Sequence, residues 1–329
     1  MWNNRITELF GIEYPIISGG MMWLSRSELA AAVAESGGIA FMTALTHPTA
    51  EEMRAEIVKC RSLTKKPFGV NLTFLPSLRP IDYPAYLTVC AEEGVKFIET
   101  AGRSPEPYME QIKGAGMKVI HKCTSIRHAV KAQEIGCDAV SIDGFECAGH
   151  PGEDDVTSLI LIPRAADELD IPVVASGGFG DGRGVVAALS LGADGVNMGT
   201  RFFATKETGV NERVKEFVVA SSEVDTRLIM RTLGNSERVL NSPTVEKILE
   251  IEGRGGASIE DLIPFVSGKD IKREVLEGGN LDRAVVAAGQ VAGLIRDIPT
   301  VAELFSRIVR EAEEIITNKL PKTIGAQEG

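Results

Sequence analysis

Eight short apolar runs, separated by stretches with helical spacing, dominate about the first 200 residues of this 329-residue chain. They are Pro15–Ser18, Ile39–Leu45, Phe68–Leu72, Lys96–Thr100, Lys118–Lys122, Ala139–Ile142, Ile171–Ala175 and Gly195–Met198. Strict alternation of strand and helix demands parallel pairing through right-handed crossovers. Eight such units close most simply as a (β/α)8 TIM barrel. An open doubly wound sheet has the same local pattern, so the choice falls on the turns. Ile171–Phe203 reads strand, Ser176-Gly177-Gly178, helix, strand, Gly199-Thr200. Two glycine turns one βα unit apart can present a ring of backbone N–H groups beside a helix N-terminus, which suits a phosphate dianion. Such a pair after the last two strands is the usual phosphate grip of a barrel. The alternative is that these glycines serve only as helix caps and tight turns.

Local signals support the helices between the strands. Ser25 or Ser27 fits the N-cap of a helix over 27–35, and Thr49 followed by Glu52 has the capping-box pattern. After Phe203 the alternation stops. Glu207–Arg231 and Leu281–Ile295 read as helical, and so does part of Asp261–Gly278, where Pro264 and Gly268 should interrupt it. The expected organisation is therefore a barrel built from 1–207 plus 296–329, with a smaller, mainly helical domain, 208–295, inserted after strand eight. An apolar stripe at Val301, Leu304, Phe305, Ile308, Val309 and Ile315-Ile316 predicts a last helix, Val301–Lys319, docked on the barrel as its eighth. The tail from Pro321 is expected to fray.

Composition narrows the function classes. The net charge is -11 with no basic tract, which argues against a nucleic-acid partner. No apolar run reaches the length of a membrane span, and MWNNRITELFGIEYP lacks the pattern of a signal peptide. The five Cys contain no C-x-x-C pair, and with four scattered His they offer no zinc spacing, so no metal site is expected. A reduced, cytoplasmic setting is the simplest expectation.

Barrel active sites form at the C-terminal ends of the strands. Strand one ends in Gly19-Gly20-Met21, where missing Cβ atoms would let the backbone lie against a flat ring. Asn71 ends strand three and offers a donor and an acceptor. Lys122 ends strand five and can place a cation over the site, unless it is simply solvated. Asp143, Glu146 and His150 lie on the irregular loop after strand six, where Glu146, Asp154 and Asp155 could equally be solvated acids. Ser176, Gly177, Gly178, Gly199 and Thr200 would hold phosphate. A glycine-lined space beside a phosphate grip and one cation describes a flavin mononucleotide (FMN) pocket, with the cation stabilising the reduced ring. His150, between Gly149 and Pro151, is the candidate catalytic residue. His47, His121 and His128 read as structural, and alternation turns His121 away from the face of Lys122.

PIISGGM, FGVNLTFL, VIHKCT, VSIDGFECAGHPGEDD, VVASGGFGDGRG and GVNMGTRFF, in this order, resemble the nitronate monooxygenase-like FMN enzymes. The loop DGFECAGHPGEDD is most similar to the bacterial NADH:quinone reductase branch. Cys147-Ala148 replaces the glycine pair found before the histidine in the nitronate and enoyl-reductase branches. The resemblance implies noncovalent FMN held by Gly20, Met21, Asn71 and Lys122, by Ala148 and Gly149, and by Ser176, Gly177, Gly178, Gly199 and Thr200. Met22 and Met198, which flank these motifs, join the expected cofactor contacts. His150 matches the active-site histidine, and the AAGQVAGL stretch around Gln290 resembles a segment that approaches the flavin.

The expected activity is thus NADH:quinone reduction by ping-pong hydride transfer. The alternatives are oxidation of alkyl nitronates with dioxygen, reduction of an enoyl thioester, and a flavin-free phosphate-ligand-binding barrel. The expected partners are small molecules, with a homodimer as the simplest assembly.

Overall fold

The computed structural model describes residues 2–74 and 80–323. The proline-bearing loop expected after strand three falls largely on 75–79, and the tail end on 324–329, outside the described residues.

Eight parallel strands close into a barrel in sequence order, and the eighth pairs back with the first. They are β1 (Ile16–Ser18), β2 (Ile39–Thr43), β3 (Gly69–Phe74), β4 (Phe97–Gly102), β5 (Lys118–Cys123), β6 (Ala139–Asp143), β7 (Val173–Ser176) and β8 (Gly195–Asn197). Helices cover the outside, over a continuous layer that includes Leu29, Val70, Ile98, Val140 and Val196. The Thr49–Glu52 capping box is present. The helix Ser27–Glu35 is started differently from expectation. Its N-cap is Arg26, with no side-chain cap bond. Ser25 Oγ accepts instead from the Met21 N–H, and Glu56 accepts from the Ser27 N–H. The helix Val301–Glu314 packs against the helices Gly182–Ser190 and Ser27–Glu35 and completes the outer ring; it runs on through a π-helical stretch, Ile315–Lys319, into a short helix, Leu320–Thr323, so the chain is still helical at Pro321, where fraying was expected. Gly182 permits the approach, since a Cβ there would lie 2.6 Å from the Ile308 carbonyl oxygen.

The two ends of the barrel interior are chemically opposite. At the N-terminal end Ile17, Ile39, Phe41, Ile120, Ala139 and Val174 form an apolar plug. A short helix missed in the sequence, Arg5–Phe10, closes this end and inserts Phe10 edge-on against Phe41 and Phe97. Its start was encoded in an Asn4–Thr7 capping box. Two residues further along the strands the inward positions turn polar, at Thr43, Asn71, Glu99, Ser141, Asp143 and Asn197. Strand alternation alone makes this switch, because i and i+2 share a face.

Residues 208–295 are less helical than their spacing suggests. Glu212–Ala220 is a helix, but Thr226–Ile229 (β9) and Glu237–Leu240 (β10) form an antiparallel hairpin. Leu281–Ile295 is two 3₁₀ turns joined by extended chain, in which Ala287 bridges to Val239. Four-residue strands embedded in polar sequence carry too little period-2 signal to stand out. Ile229, Val239, Val245, Ile248 and Leu262 form a separate small core here. A second cluster, with Leu24, Phe203, Val214 and Leu240, joins this region to the barrel top. Among the described residues no helix is long and apolar enough to cross a membrane.

Candidate active site

The polar layer is organised by Glu99, a residue the sequence reading passed over. Glu99 is fully buried on β4. Its carboxylate accepts from the Gly20 N–H at 2.7 Å, from Asn71 Nδ2 at 2.7 Å and from Asn197 Nδ2 at 3.5 Å. Asn197 also donates to Ser141 and accepts from the Gly19 N–H. Burial pushes the Glu99 carboxyl above its ordinary range, against the pull of Lys122 and these donors. Lys122 Nζ stands 3.5 Å from Asp143 Oδ2, and Asp143 and Glu99 together keep the ammonium charged despite burial. Two carboxylates and one cation therefore share the inside of the mouth.

The glycines after β1 are explained by this layer. A Cβ on Gly20 would lie 2.4 Å from Asn71 Cβ, and one on Gly19 would lie 2.8 Å from both Asn197 and Glu99. The missing side chains make room for the protein's own polar residues, where the sequence had suggested only an open face for a ring. The next residues diverge. Met21 packs with the barrel-top cluster near Gly199, whereas Met22 is 40% exposed and its sulfur accepts from Thr46. Met198 is also displaced from the expected contact set. Alternation from Asn197 turns its side chain outward into the layer under the helices.

After β7, Gly177 and Gly178 both have positive φ (92° and 88°), a conformation side-chain-bearing residues rarely adopt. Gly199 leads into the short helix Thr200–Phe203. Thr200 Oγ1 accepts from the Gly289 N–H, so its own hydroxyl hydrogen is left to donate. Ser176, at the end of β7, is buried and holds the strand-six loop by accepting the Gly144 N–H on its carbonyl.

That loop is clamped from outside the barrel. Gly149 and Arg238 of β10 exchange both backbone hydrogen bonds, at 3.1 and 2.6 Å. The buried Arg238 guanidinium donates to the Phe145 carbonyl and to Thr226, and lies 4.5 Å over the Phe145 ring. Gln290 N–H donates to the Glu146 carbonyl. Glu153 accepts from Ser236, and Asp155 pairs with Arg231. Glu146, Glu153 and Asp155 thus have structural partners, and Asp154 is exposed. Glu146 caps the helix Ser158–Glu168 through the Ser158 N–H and hydroxyl. Ala148 and Gly149 are half-buried, and His150 emerges exposed at the end of the clamped segment.

Two of the other histidines are accounted for. His121 is buried on the outer face, Nδ1 2.8 Å from Thr100 Oγ1, and burial, helped by the charge of His128, pulls it down to about 4. His128 lies on the outer helix Ile126–Glu134. Among the described residues no group of acidic, Cys and His side chains could hold a metal.

The arrangement fits a phosphate-bearing, ring-containing cofactor. Glycine amides and a hydroxyl stand at the ends of β7 and β8, and a charged lysine stands on β5 beyond the intervening β6. The buried Asp143 Oδ1 has no hydrogen-bond partner among the described residues. A ligand donor beside Lys122 would satisfy that oxygen. A closed (β/α)8 barrel with this mouth defines a class, the barrel oxidoreductases that keep their cofactor at the C-terminal ends of the strands. Within it the chain belongs to the nitronate monooxygenase family, whose family model, described as nitronate monooxygenase, matches residues 3–311.

The chain is 33% identical to the (3aS,4S,5R,7aS)-5-hydroxy-7a-methyl-1-oxo-octahydro-1H-indene-4-carboxyl-CoA dehydrogenase of Rhodococcus jostii (strain RHA1), over 93% of this chain and 95% of that protein. It is 35% identical to a probable nitronate monooxygenase of Staphylococcus haemolyticus (strain JCSC1435), over 77% of this chain and 82% of that protein. In structure it is similar to FabK from Thermotoga maritima, with a TM-score of 0.90 and 36% identity, covering 98% of this chain and 100% of that one. The chain is an oxidoreductase of this family.

Proposed function

We propose that this enzyme uses FMN to pass a hydride from NADH to an acceptor whose double bond is conjugated to a carbonyl, in two half-reactions at one mouth. The observation that carries this reading is the pairing of the positive-φ glycine turn at Gly177-Gly178, after β7, with a charged Lys122 two strands away on β5. Bound FMN supplies a two-electron carrier that nicotinamide can reduce and an electron-poor acceptor can oxidise. Gly177, Gly178, Gly199 and Thr200 hold its phosphate, and Ser176 fixes the turn. Gly20, Met21, Asn71, Ala148 and Gly149 border the ring, with Asn71 fixed by Glu99. Lys122 offsets negative charge on the reduced ring. Residues 208–295 form the substrate-side domain over the mouth.

Hydride addition to a conjugated carbonyl leaves negative charge on its oxygen. His150, on a loop end held rigid by Arg238, donates a proton there. A quinone is the acceptor indicated by the loop motif. An enoyl thioester is the second reading, favoured by the acyl-CoA name of the relative that covers nearly the whole chain. Both present the same conjugated oxygen to His150. Oxidation of a nitronate by dioxygen is the third, carried by the family name.

Stopped-flow mixing tests the proposal. NADH should bleach the bound flavin under argon, and separate mixing with a quinone, a short enoyl-CoA and oxygenated buffer should identify the acceptor. Failure of NADH to bleach, with rapid bleaching by a nitronate, would sink it. His150→Ala should keep the flavin and slow reoxidation by the acceptor on the order of 10²-fold, with a smaller effect on reduction by NADH.

A further inference from the structure

The clamp on the strand-six loop has a consequence for His150 itself. Gly149 and Arg238 form an antiparallel bridge and exchange both N–H···O bonds. The bridge is isolated and Gly149 has a positive φ of 68°, so the chain turns there, and His150 and Glu237 follow the bridged pair one residue out on either side. Alternation along β10 turns Glu237 to the face opposite that of Arg238, whose guanidinium is committed to Phe145 and Thr226.

From this adjacency to one bridge we propose that Glu237 is the positioning residue for His150: its carboxylate accepts one ring N–H and turns the other ring nitrogen toward the acceptor. The inference rests on the reading of His150 as the acceptor's proton donor. Electrostatics agree with the geometry. Burial raises the Glu237 carboxyl above its ordinary range, and the positive charge of His150 opposes that rise. The other charged groups around the loop are engaged or lie apart. Glu146 caps Ser158, Glu153 accepts from Ser236, Asp155 pairs with Arg231, Asp143 faces Lys122, and Asp154 is exposed. From the hairpin, Arg231 and Arg238 are taken by Asp155 and Phe145. The carboxylate left uncommitted beside the imidazole is therefore that of Glu237.

A carboxylate that accepts from one imidazole nitrogen fixes the tautomer, and loss of such a partner leaves the ring in a mixture. The test uses ¹⁵N-histidine-labelled, flavin-loaded enzyme at pH 8. The His150 ring signals are identified by their loss in His150→Ala. In Glu237→Gln those signals should move toward the free-imidazole tautomer ratio, while those of His47, His121 and His128 stay. Glu237→Asp should give an intermediate shift, and it decides the matter with the same readout if Glu237→Gln does not fold. Reoxidation by the acceptor should slow roughly tenfold in Glu237→Gln, with reduction by NADH unchanged.

His150 ring signals identical to wild type in the folded variants overturn the pairing. Shifted signals together with a His150→Ala enzyme that reoxidises at the wild-type rate uphold the pairing and overturn the proton-donor reading instead.

Discussion

Acid should cost this protein stability through one identifiable histidine. His121 is buried beneath the helices, hydrogen-bonded to Thr100, and held neutral down to about 4 against an ordinary 6.5. The unfolded chain takes up a proton at the ordinary value, and the native state resists until the lower one. The contribution is thus fully present above 6.5 and is lost as pH falls toward about 4. At about 1.4 kcal/mol per pH unit the whole span is worth about 3 kcal/mol, of which about 2 is gone by pH 5. His121→Asn keeps a polar group near the Thr100 hydroxyl and removes the titration. Urea unfolding followed by circular dichroism at pH 8, 6 and 5, at constant cofactor, measures both proteins. Carboxylate titrations are common to the two and cancel in the difference. The variant will start less stable because it leaves a void, but the gap should close by about 2 kcal/mol between pH 8 and pH 5. If the two lines run parallel, His121 is not a neutral buried base, and its placement on the outer face is wrong.

Three further outcomes test the mouth. Lys122→Met should lower the two-electron potential of the flavin by roughly 30 mV or more, equivalent to about 1.4 kcal/mol; an unchanged potential and unchanged flavin occupancy in a dye-equilibration titration would remove the cation from its role. Arg238→Met loses hydrogen bonds to the Phe145 carbonyl and its stacking on that ring, and should cost about 2–4 kcal/mol. Amide exchange across 144–155 and 226–240 should accelerate together, and acceleration on one side alone would show that the clamp is not shared. NADH should be preferred over NADPH in kcat/KM, since the chain is acidic and no Arg-rich segment offers a 2′-phosphate site; equal values would contradict this.

The barrel was readable because every strand carries its own signal. A run such as Ile39–Thr43 between a glycine pair and a capping box can be placed without reference to the rest. Gly177 and Gly178 were readable for the same local reason. Glu99 was not, although its signal was present. An acid two residues beyond Phe97 in a strand shares the inward face of a barrel, so its carboxylate had to meet other inward groups. Asn197 and Ser141 escaped in the same way, as ordinary polar residues whose meaning depends on which strands adjoin. The hairpin Thr226–Leu240 and the Glu237–His150 adjacency were out of reach for a different reason. The hairpin's four-residue strands are too short to show a period, and the bridge that ties it to the histidine loop spans nearly 90 residues, so nothing local to either segment records it. Met198 was misjudged by proximity in sequence to Gly199, where the two-residue period of a strand decides the direction.

The bridge between Gly149 and Arg238 also determines how such an enzyme can be re-engineered. On the function proposed above, the portion of the chain that shapes acceptor access is not a contiguous cassette. It consists of 144–155 from the barrel and 226–290 from the insertion, laced by Phe145–Arg238, Glu146–Gln290, Glu153–Ser236 and Asp155–Arg231. A chimera that exchanges 208–295 alone between relatives would unpick every one of these links and leave the histidine loop facing a foreign hairpin. Transplanting both segments together keeps the seam intact. Substrate range in this lineage should therefore travel as a paired haplotype of two distant stretches, and laboratory recombination should place its crossovers to respect it.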